Sequence, residues 1–355
     1  MIKKLNIIQI LPELEVGGVE RGTIQISRAL VNRGHLAIVM SGGGRLVKEL
    51  NALGVEHIEL PVGAKKLSSV FLIYKLVRTF LNKKIDIVHS RSRLPSWLVW
   101  IALKFLSKNK RPVWITTVHG PYSVNAYSSI MIQGDHVIAV SYFIERYIKK
   151  NYSKAHQKDI TVIPRGIEKD LYRRSFRPSD AWMENWQQQL GYKTDAKILT
   201  IAGRLTRWKG QLDFILILAG LRKRGVNAFG LIVGSAHKNN KAYEDELKIA
   251  AQTYGVTPYL LFLGSRSDLM EIFSISDCAY SLAKNPEAFG RTTIEALALG
   301  TPVIGYDHGG TSEILDNVFP RGKVPLNDID AAINRTLEVI ANHPRITESH
   351  PYTVG

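Results

Sequence analysis

Short, almost wholly apolar runs alternate with amphipathic stretches along the entire chain, and this alternation constrains the fold most. In the first half the apolar runs are Leu5–Leu11, Leu36–Ser41, Val55–Leu60, Asp86–Ser90, Val113–Val118 and His136–Val140. In the second half they are Ile198–Ala202, Phe229–Val233, Tyr259–Leu263, Cys278–Leu282 and Val303–Tyr306. Runs of this length that are apolar at successive positions suit strands buried on both faces, as in a parallel sheet. Helical patterns fall between them, near 22–33, 45–53, 67–82, 95–107 and 141–151, then 209–224, 241–254, 267–275, 291–299 and 327–342. Parallel neighbours need such crossovers. Two doubly wound α/β domains are therefore expected, with 355 residues enough for two cores. The boundaries read as 1–168 and 169–342, with a polar tail over 343–355. The link lies near Ile163-Pro-Arg-Gly-Ile-Glu168, and the polar, Trp-bearing segment 172–195 reads as a short helix entering the second domain.

No stretch of 18 apolar residues is present, and the apolar start at Leu5–Leu11 is interrupted by Asn6 and Gln9, so it reads as a strand and not as a signal peptide. Cys278 is the only cysteine, which excludes an intramolecular disulfide and points to a reducing compartment. A cytoplasmic protein is expected. The formal net charge of +16 is uneven. Residues 1–168 hold 25 Lys and Arg against 11 Asp and Glu, whereas residues 169–355 hold 22 against 20. A basic half beside a near-neutral one suggests that the first half meets an anion: a nucleic acid, a phospholipid surface or a phosphorylated glycolipid. A solubilising charge with no partner is the plain alternative.

The densest chemistry lies in Glu287-Ala-Phe-Gly-Arg-Thr-Thr-Ile-Glu295, followed by a Gly300-Thr-Pro turn. A helix starting after Gly290 would present free amides to a phosphate. Glu287 before it can accept hydrogen bonds from sugar hydroxyls, and Glu295 can accept those of a ribose. Eight helical residues span ~12 Å, too far for a retaining-glycosidase pair at ~5 Å. A capping acid and a surface acid on an ordinary amphipathic helix would read the same way in isolation. Three further motifs stand at strand ends. Gly17-Gly18-Val-Glu20 follows the first strand, where a glycine pair is either a structural turn or an approach for a ligand. His119-Gly-Pro follows Val113–Val118, at the strand end where open sheets bind ligands. Gly203-Arg204 through Lys209-Gly210 follows Ile198–Ala202, with two cations suited to phosphate or simply to solvent. No metal-ligand spacing is found, and neither D-x-D nor G-x-G-x-x-G occurs at these loops.

Taken together and in this order, the four motifs resemble those of the retaining glycosyltransferases of family 4, over roughly residues 5 to 340. The resemblance implies a GT-B fold, two Rossmann-like domains facing a central cleft. It implies transfer of a hexose or N-acetylhexosamine, with retention, from a nucleoside-diphosphate sugar, a UDP-sugar being favoured. The acceptor hydroxyl is expected on a lipid-linked saccharide or lipopolysaccharide-type glycan. Glu287, His119, Arg204 and Lys209 are the implied catalytic residues. Gly17, Gly18, Arg204, Lys209, Phe289, Gly290, Arg291, Thr292 and Glu295 are the implied donor-binding residues. No metal and no cofactor are expected, because Arg204 and Lys209 would carry the leaving diphosphate. The loop Gly264-Ser-Arg-Ser-Asp268 would lie near the base. Two departures stand out: Arg165 replaces the Asn of the usual Pro-Asn-Gly-Ile-Asp, and the C-terminal crossover helix of the family is not evident before Gly355.

The basic, apolar-faced segments 65–84 and 95–111 read as core helices of the first domain, with peripheral seating on the inner face of a membrane as the second option. A sugar-nucleotide 2-epimerase shares the fold and the donor. A nicotinamide oxidoreductase lacks its glycine fingerprint here, and a nucleic-acid binder leaves the second-half motifs unexplained, so no nucleic acid is expected as a partner.

Overall fold

In the computed structural model the chain divides into two compact units, Met1–Arg165 and Gly166–Gly355. The structure describes residues 3–15, 17–64, 69–153, 155, 158–190, 195–236, 241–342, 346 and 351–354. Parts of the predicted segments 65–84 and 172–195, and most of the predicted tail, lie outside the described residues.

The first unit is a seven-stranded parallel sheet. Its strands are β1 (Asn6–Ile10), β2 (Leu36–Ser41), β3 (Glu56–Glu59), β4 (Ile87–Ser90), β5 (Val113–Val118), β6 (His136–Ala139) and β7 (Ile160–Val162), in the order β3-β2-β1-β4-β5-β6-β7. The crossovers are α1 (Gly18–Asn32), α2 (Val47–Ala52), α3 (Ser69–Asn82), α4 (Arg93–Lys104) and α5 (Tyr142–Asn151). Ile8, Ile10, Ile38, Met40, Val88 and Val137 are fully buried, as expected of strands covered on both faces. Each such aliphatic side chain contributes roughly 1.5–3 kcal/mol. The order of strands reverses between β1 and β4, and ligands of open α/β sheets bind beyond the carboxyl ends at this point.

The second unit repeats the scheme. Its sheet holds β9 (Lys197–Ala202), β10 (Ala228–Val233), β11 (Leu260–Gly264), β12 (Cys278–Ser281), β13 (Val303–Tyr306) and β14 (Lys323–Val324), in the order β11-β10-β9-β12-β13-β14. The reversal falls between β9 and β12. Its helices are α6 (Asp180–Leu190), α7 (Gln211–Lys223), α8 (Lys241–Thr253), α9 (Leu269–Ser274), α10 (Arg291–Ala298), α11 (Gly309–Val318) and α12 (Ile329–Asn342). The Trp-bearing segment forms α6: Trp182 and Trp186 stack with ring centroids 5.0 Å apart, and Trp182 Nε1 donates to Asp268 at 2.7 Å. Cys278 is fully buried in β12, and burial pushes its thiol pKa upward.

The segment read as a polar tail behaves differently where it is described. Ile346 and Tyr352 are buried in the core of the second unit. A short strand β15 (Thr353–Val354) pairs in parallel with β8 (Ile167–Glu168), and the Ile167 amide donates to the Tyr352 carbonyl at 2.8 Å. The physical reason is the apolar content of Ile346 and Tyr352: the Tyr352 ring meets the Phe289 ring edge-on at 5.6 Å, and its hydroxyl donates to the Glu313 carbonyl. Among the described residues no helix is long and apolar enough to cross a membrane.

Candidate active site

The predicted site residues assemble as two groups, one in each unit, and each lies at the strand reversal of its sheet. In the second unit, Gly203 and Arg204 leave β9. The chain then turns through Thr206–Gly210 into α7. Gln211 donates its side-chain amide to the Arg204 carbonyl at 3.0 Å and so ties the turn to the helix start. Lys209 projects from this turn. Its ammonium donates to Glu287 Oε1, a residue 78 positions away, and both side chains are mostly buried. The Trp208 ring lies 4.6 Å beneath the same ammonium. Lys284, in the loop after β12, pairs with the buried Asp213 at 2.9 Å, while its backbone amide donates to the Trp208 carbonyl. These contacts fix the β9–α7 turn against the β12–α10 loop, and that brings Lys209 to Glu287.

Glu287 is itself held from behind by a helix that the sequence reading missed. The Gly310 amide donates to the Glu287 carbonyl at 2.8 Å. A Cβ on Gly310 would stand 2.4 Å from Phe289 Cα, so the loop 286–290 packs against a helix start where only glycine leaves room. His308 Nε2 and the Ala283 carbonyl, 2.6 Å apart, close the other side, the ring nitrogen donating. The signal for this support was present as His308-Gly-Gly-Thr directly after a predicted strand, the same strand-to-helix punctuation as Gly17-Gly18.

Helix α10 begins after Gly290 with no side-chain cap, leaving first-turn amides open to an anion. Arg291 adds a cation at this start and pairs with Glu295 one turn on, Nε to Oε1, at 2.7 Å. Glu295 is 7% exposed and also accepts from Tyr172, whose hydroxyl pKa is pushed up to about 12 by burial and by that carboxylate. Tyr172 was not foreseen, because nothing in the sequence ties it to a residue so far along the chain. Phe289 turns its ring into the core against Tyr352, so what it can offer a ligand is backbone. Arg266 and Asp268 of the loop after β11 pair with each other at 2.6 Å, and Asp268 also holds Trp182. Among the described residues no group of three or more His, Cys, Asp or Glu side chains is placed to hold a metal ion.

In the first unit, Gly17, Gly18 and His119 stand with residues that the sequence reading did not single out. Gly17 precedes α1 in an extended conformation and without a side-chain cap. A Cβ on Gly18 would stand 2.3 Å from an Arg165 guanidinium nitrogen, and one on Gly17 would stand 2.3 Å from a Glu20 carboxylate oxygen. The glycine pair thus clears space for two charged side chains. Arg165 NH2 donates to His119 Nδ1 at 2.8 Å. Because Arg only donates, the neutral His119 carries its proton on Nε2. Burial, then Arg165, Arg91 and His89, hold the His119 pKa well below its ordinary value. His89, at the end of β4, is likewise held low by burial and by Arg91, and its Nε2 lies 2.6 Å from Thr117 Oγ1. Arg91, two residues on, donates to Gln9 Oε1 at 2.8 Å. The pattern His89-Ser-Arg91-Ser-Arg93, running out of the end of a strand, was the signal available for this group.

Two parallel, reversed-order sheets with charged residues at both reversals define the class: an α/β protein of the GT-B type. The model for glycosyltransferase family 4 matches residues 16–171, and that for glycosyl transferases group 1 matches residues 183–349. The chain belongs to the family 4 glycosyltransferases. The fold matches the crystal structure of a glycosyltransferase from Rickettsia africae with a TM-score of 0.83 at 29% identity, covering 95% of this chain and 88% of that one. It also matches HepE of Anabaena, solved in complex with UDP and glucose, with a TM-score of 0.79 at 21% identity over 96% of this chain and 90% of that one. In sequence it is 27% identical over 215 residues to a lipopolysaccharide 1,2-N-acetylglucosaminetransferase of Salmonella typhimurium, covering 59% of this chain and 54% of that protein. The chain spans about half the length of the curated relatives it matches.

Proposed function

We propose that this protein transfers a sugar from a nucleoside-diphosphate sugar, UDP-linked in the favoured case, to an acceptor hydroxyl on a lipid-linked saccharide or lipopolysaccharide-type glycan. The observation that carries the reading is the meeting of Lys209 with Glu287 beside the uncapped start of α10. In this reading Arg204, Lys209 and the first amides of α10 receive the diphosphate. Lys209 exchanges its contact with Glu287 for a phosphate oxygen, and Glu287 is released to accept the hydroxyls of the transferred sugar. Glu295 does the same for the ribose, exchanging Arg291 and Tyr172 for two hydroxyl donors. As the anomeric carbon–oxygen bond breaks, charge builds on the leaving phosphate, where preorganised cations lower the barrier. The acceptor oxygen bonds to the same face of the anomeric carbon, its proton passes to the leaving phosphate oxygen, and configuration is retained. No metal is assigned a step.

The Salmonella relative's name supports the glycan class, and the UDP in the Anabaena neighbour supports the nucleotide. We further propose that α3 and α4 seat the protein on an anionic membrane surface. They pack together and expose Val70, Phe71, Tyr74 and Phe105 beside Lys75, Arg78 and Lys104. The transfer reading is tested by incubating the protein with UDP-, GDP- and ADP-sugars and following nucleoside diphosphate release with and without a lipid-linked saccharide. The expected result is slow donor hydrolysis with a UDP-sugar, accelerated by acceptor. Release of no nucleoside diphosphate from any donor overturns the reading. Conversion of the donor to its 2-epimer without acceptor turns it into an epimerase.

A further inference from the structure

We propose that the first unit carries an oxyanion site of its own, formed by Arg91, Arg165, His119 and the start of α1, which takes a phosphoryl group borne by the acceptor. The proposal deepens the transfer reading above and rests on it for the word acceptor. The site itself rests on the geometry of the first unit alone.

Arg91 carries the argument. It is 4% exposed, at the carboxyl end of β4 where the strand order reverses. One of its guanidinium nitrogens donates to Gln9 Oε1, a neutral acceptor, and Gln9 is fixed in turn by Ser27 and the Thr23 carbonyl. Its Nε–H is buried with no acceptor. Burial depresses the Arg91 pKa to about 9, a second guanidinium, Arg165, adds to the depression, and Glu20 pulls it back. Buried cations are ordinarily paired, because leaving one without a counter-charge is costly.

His119 supplies the second observation. Its Nδ1 is occupied by Arg165, which puts the proton on Nε2, and that N–H is also buried without an acceptor. The third is the start of α1, fifteen residues long with no side-chain cap, whose Gly18 lies under Arg165 and whose Gly22 lies beside Arg91. The groups that converge here are therefore almost all donors: two guanidiniums, one imidazole N–H and the amides of a helix start. A water could accept from them but would then have to place its own two protons, whereas the carboxylate that acts on Arg91, Glu20, leaves the Nε–H of Arg91 without an acceptor. An acceptor-only group with several oxygens and negative charge meets all of them at once, and a phosphoryl group has that form.

The shared chemistry is a phosphate oxyanion, which an acceptor phosphate, the donor diphosphate or a phospholipid headgroup could each supply. Calorimetric titrations of the full chain with inorganic phosphate, a hexose 6-phosphate and UDP, together with co-sedimentation on phosphatidylglycerol vesicles, separate these sources. Arg165→Asn is the variant of choice, because Arg165 is half-buried. It should weaken binding of inorganic phosphate and of hexose 6-phosphate roughly tenfold or more, the loss expected of one charge-assisted contact. It should leave UDP binding within twofold. Lys209→Ala should do the reverse. Phosphate affinity unchanged in Arg165→Asn, or lost in Lys209→Ala, overturns the site. So does anionic-vesicle binding that depends on Arg165 in a protein that takes up neither soluble phosphate. Failure of UDP to bind the parent protein would strike the UDP donor of the transfer reading and leave the phosphate result intact. Should Arg165→Asn not fold, amide exchange on the parent chain decides: inorganic phosphate should slow exchange at 18–22 and 89–93, and slowing confined to 204–210 and 287–295 overturns the proposal.

Discussion

The packing of Gly310 against the loop that carries Glu287 lends itself to a sharp test, Gly310→Ala. The added Cβ would stand 2.4 Å from Phe289 Cα, 2.5 Å from its carbonyl oxygen and 2.7 Å from its carbonyl carbon, all backbone. Ordinary contact begins near 3.4 Å, so the loop or the helix start must move by about 1 Å, and overpacking of this kind costs about 1–3 kcal/mol. For a unit of this size that lowers the melting midpoint by about 2–4 °C per kcal/mol. The functional effect should be larger than the stability effect. A shift of about 1 Å in a positioning group can lower turnover about a hundredfold, and Glu287 and the Gly310 amide share one hydrogen bond. The control is Gly255→Ala, with a φ of +69° and open space around its Cβ, which costs about 1–2 kcal/mol of backbone strain and moves nothing near the site. Thermal melts and steady-state nucleoside diphosphate release on both variants give the comparison. Turnover in Gly310→Ala within twofold of the parent would refute the reasoning. So would equal losses of turnover in both variants, since stability alone would then explain them.

Lys209→Ala and Arg204→Ala should each lower turnover about a hundredfold through loss of a charge-stabilising donor, and near-parental kinetics in both would remove the diphosphate from this turn. Glu287→Gln should act mainly on kcat, and Glu295→Ala mainly on the KM for donor, since a ribose contact is the same in ground and transition states; measuring both constants decides, and the reverse split exchanges the roles. His89 and His119 have folded-state pKa values held below the unfolded value, so the unfolded chain takes up protons first as pH falls. Stability is full above about pH 6.5 and declines below it by at most about 1.4 kcal/mol per pH unit per histidine; urea midpoints from pH 5 to 7 should show this slope, reduced in His119→Asn, and an identical slope in that variant counts against a buried neutral His119. Co-sedimentation should be stronger on anionic than on neutral vesicles, fall with salt over a Debye length of ~8 Å at physiological strength, and weaken in Phe71→Ser and Phe105→Ser; indifference to lipid charge would sink the membrane reading.

Much of the fold was legible because buried parallel strands announce themselves: eleven apolar runs became β1 to β6 and β9 to β13. What escaped notice has physical reasons. β14 is two residues, Lys323–Val324, one of them charged. β7 is a three-residue edge strand beside the link. α11 opens on Gly309 and Gly310, poor helix formers kept because the Glu287 backbone crowds the first and Phe289 the second. The site divides in the same way. Residues that follow strands, such as Arg204, Lys209, Glu287 and His119, were visible singly. Their partners were not, because Lys209 with Glu287, Arg165 with His119 and Tyr172 with Glu295 join positions far apart in the chain. Arg165 is the instructive case. It stood out only as a replacement of the usual Asn, and it sits on the imidazole of a residue nominated for other reasons.

The lone thiol of Cys278 gives this protein a reporter that needs no engineering. It lies at the centre of the second sheet, beside the strand reversal, fully buried and with its ionisation suppressed. Thiol reagents attack the exposed thiolate, so labelling can proceed only when that sheet opens. The first unit has no cysteine at all. The rate of alkylation under native conditions therefore measures the opening free energy of one unit in the presence of the other. Comparing that energy with a global melt tells whether the two units unfold as one cooperative body or as two. It also tells whether a bound nucleotide slows opening of the unit that carries the thiol.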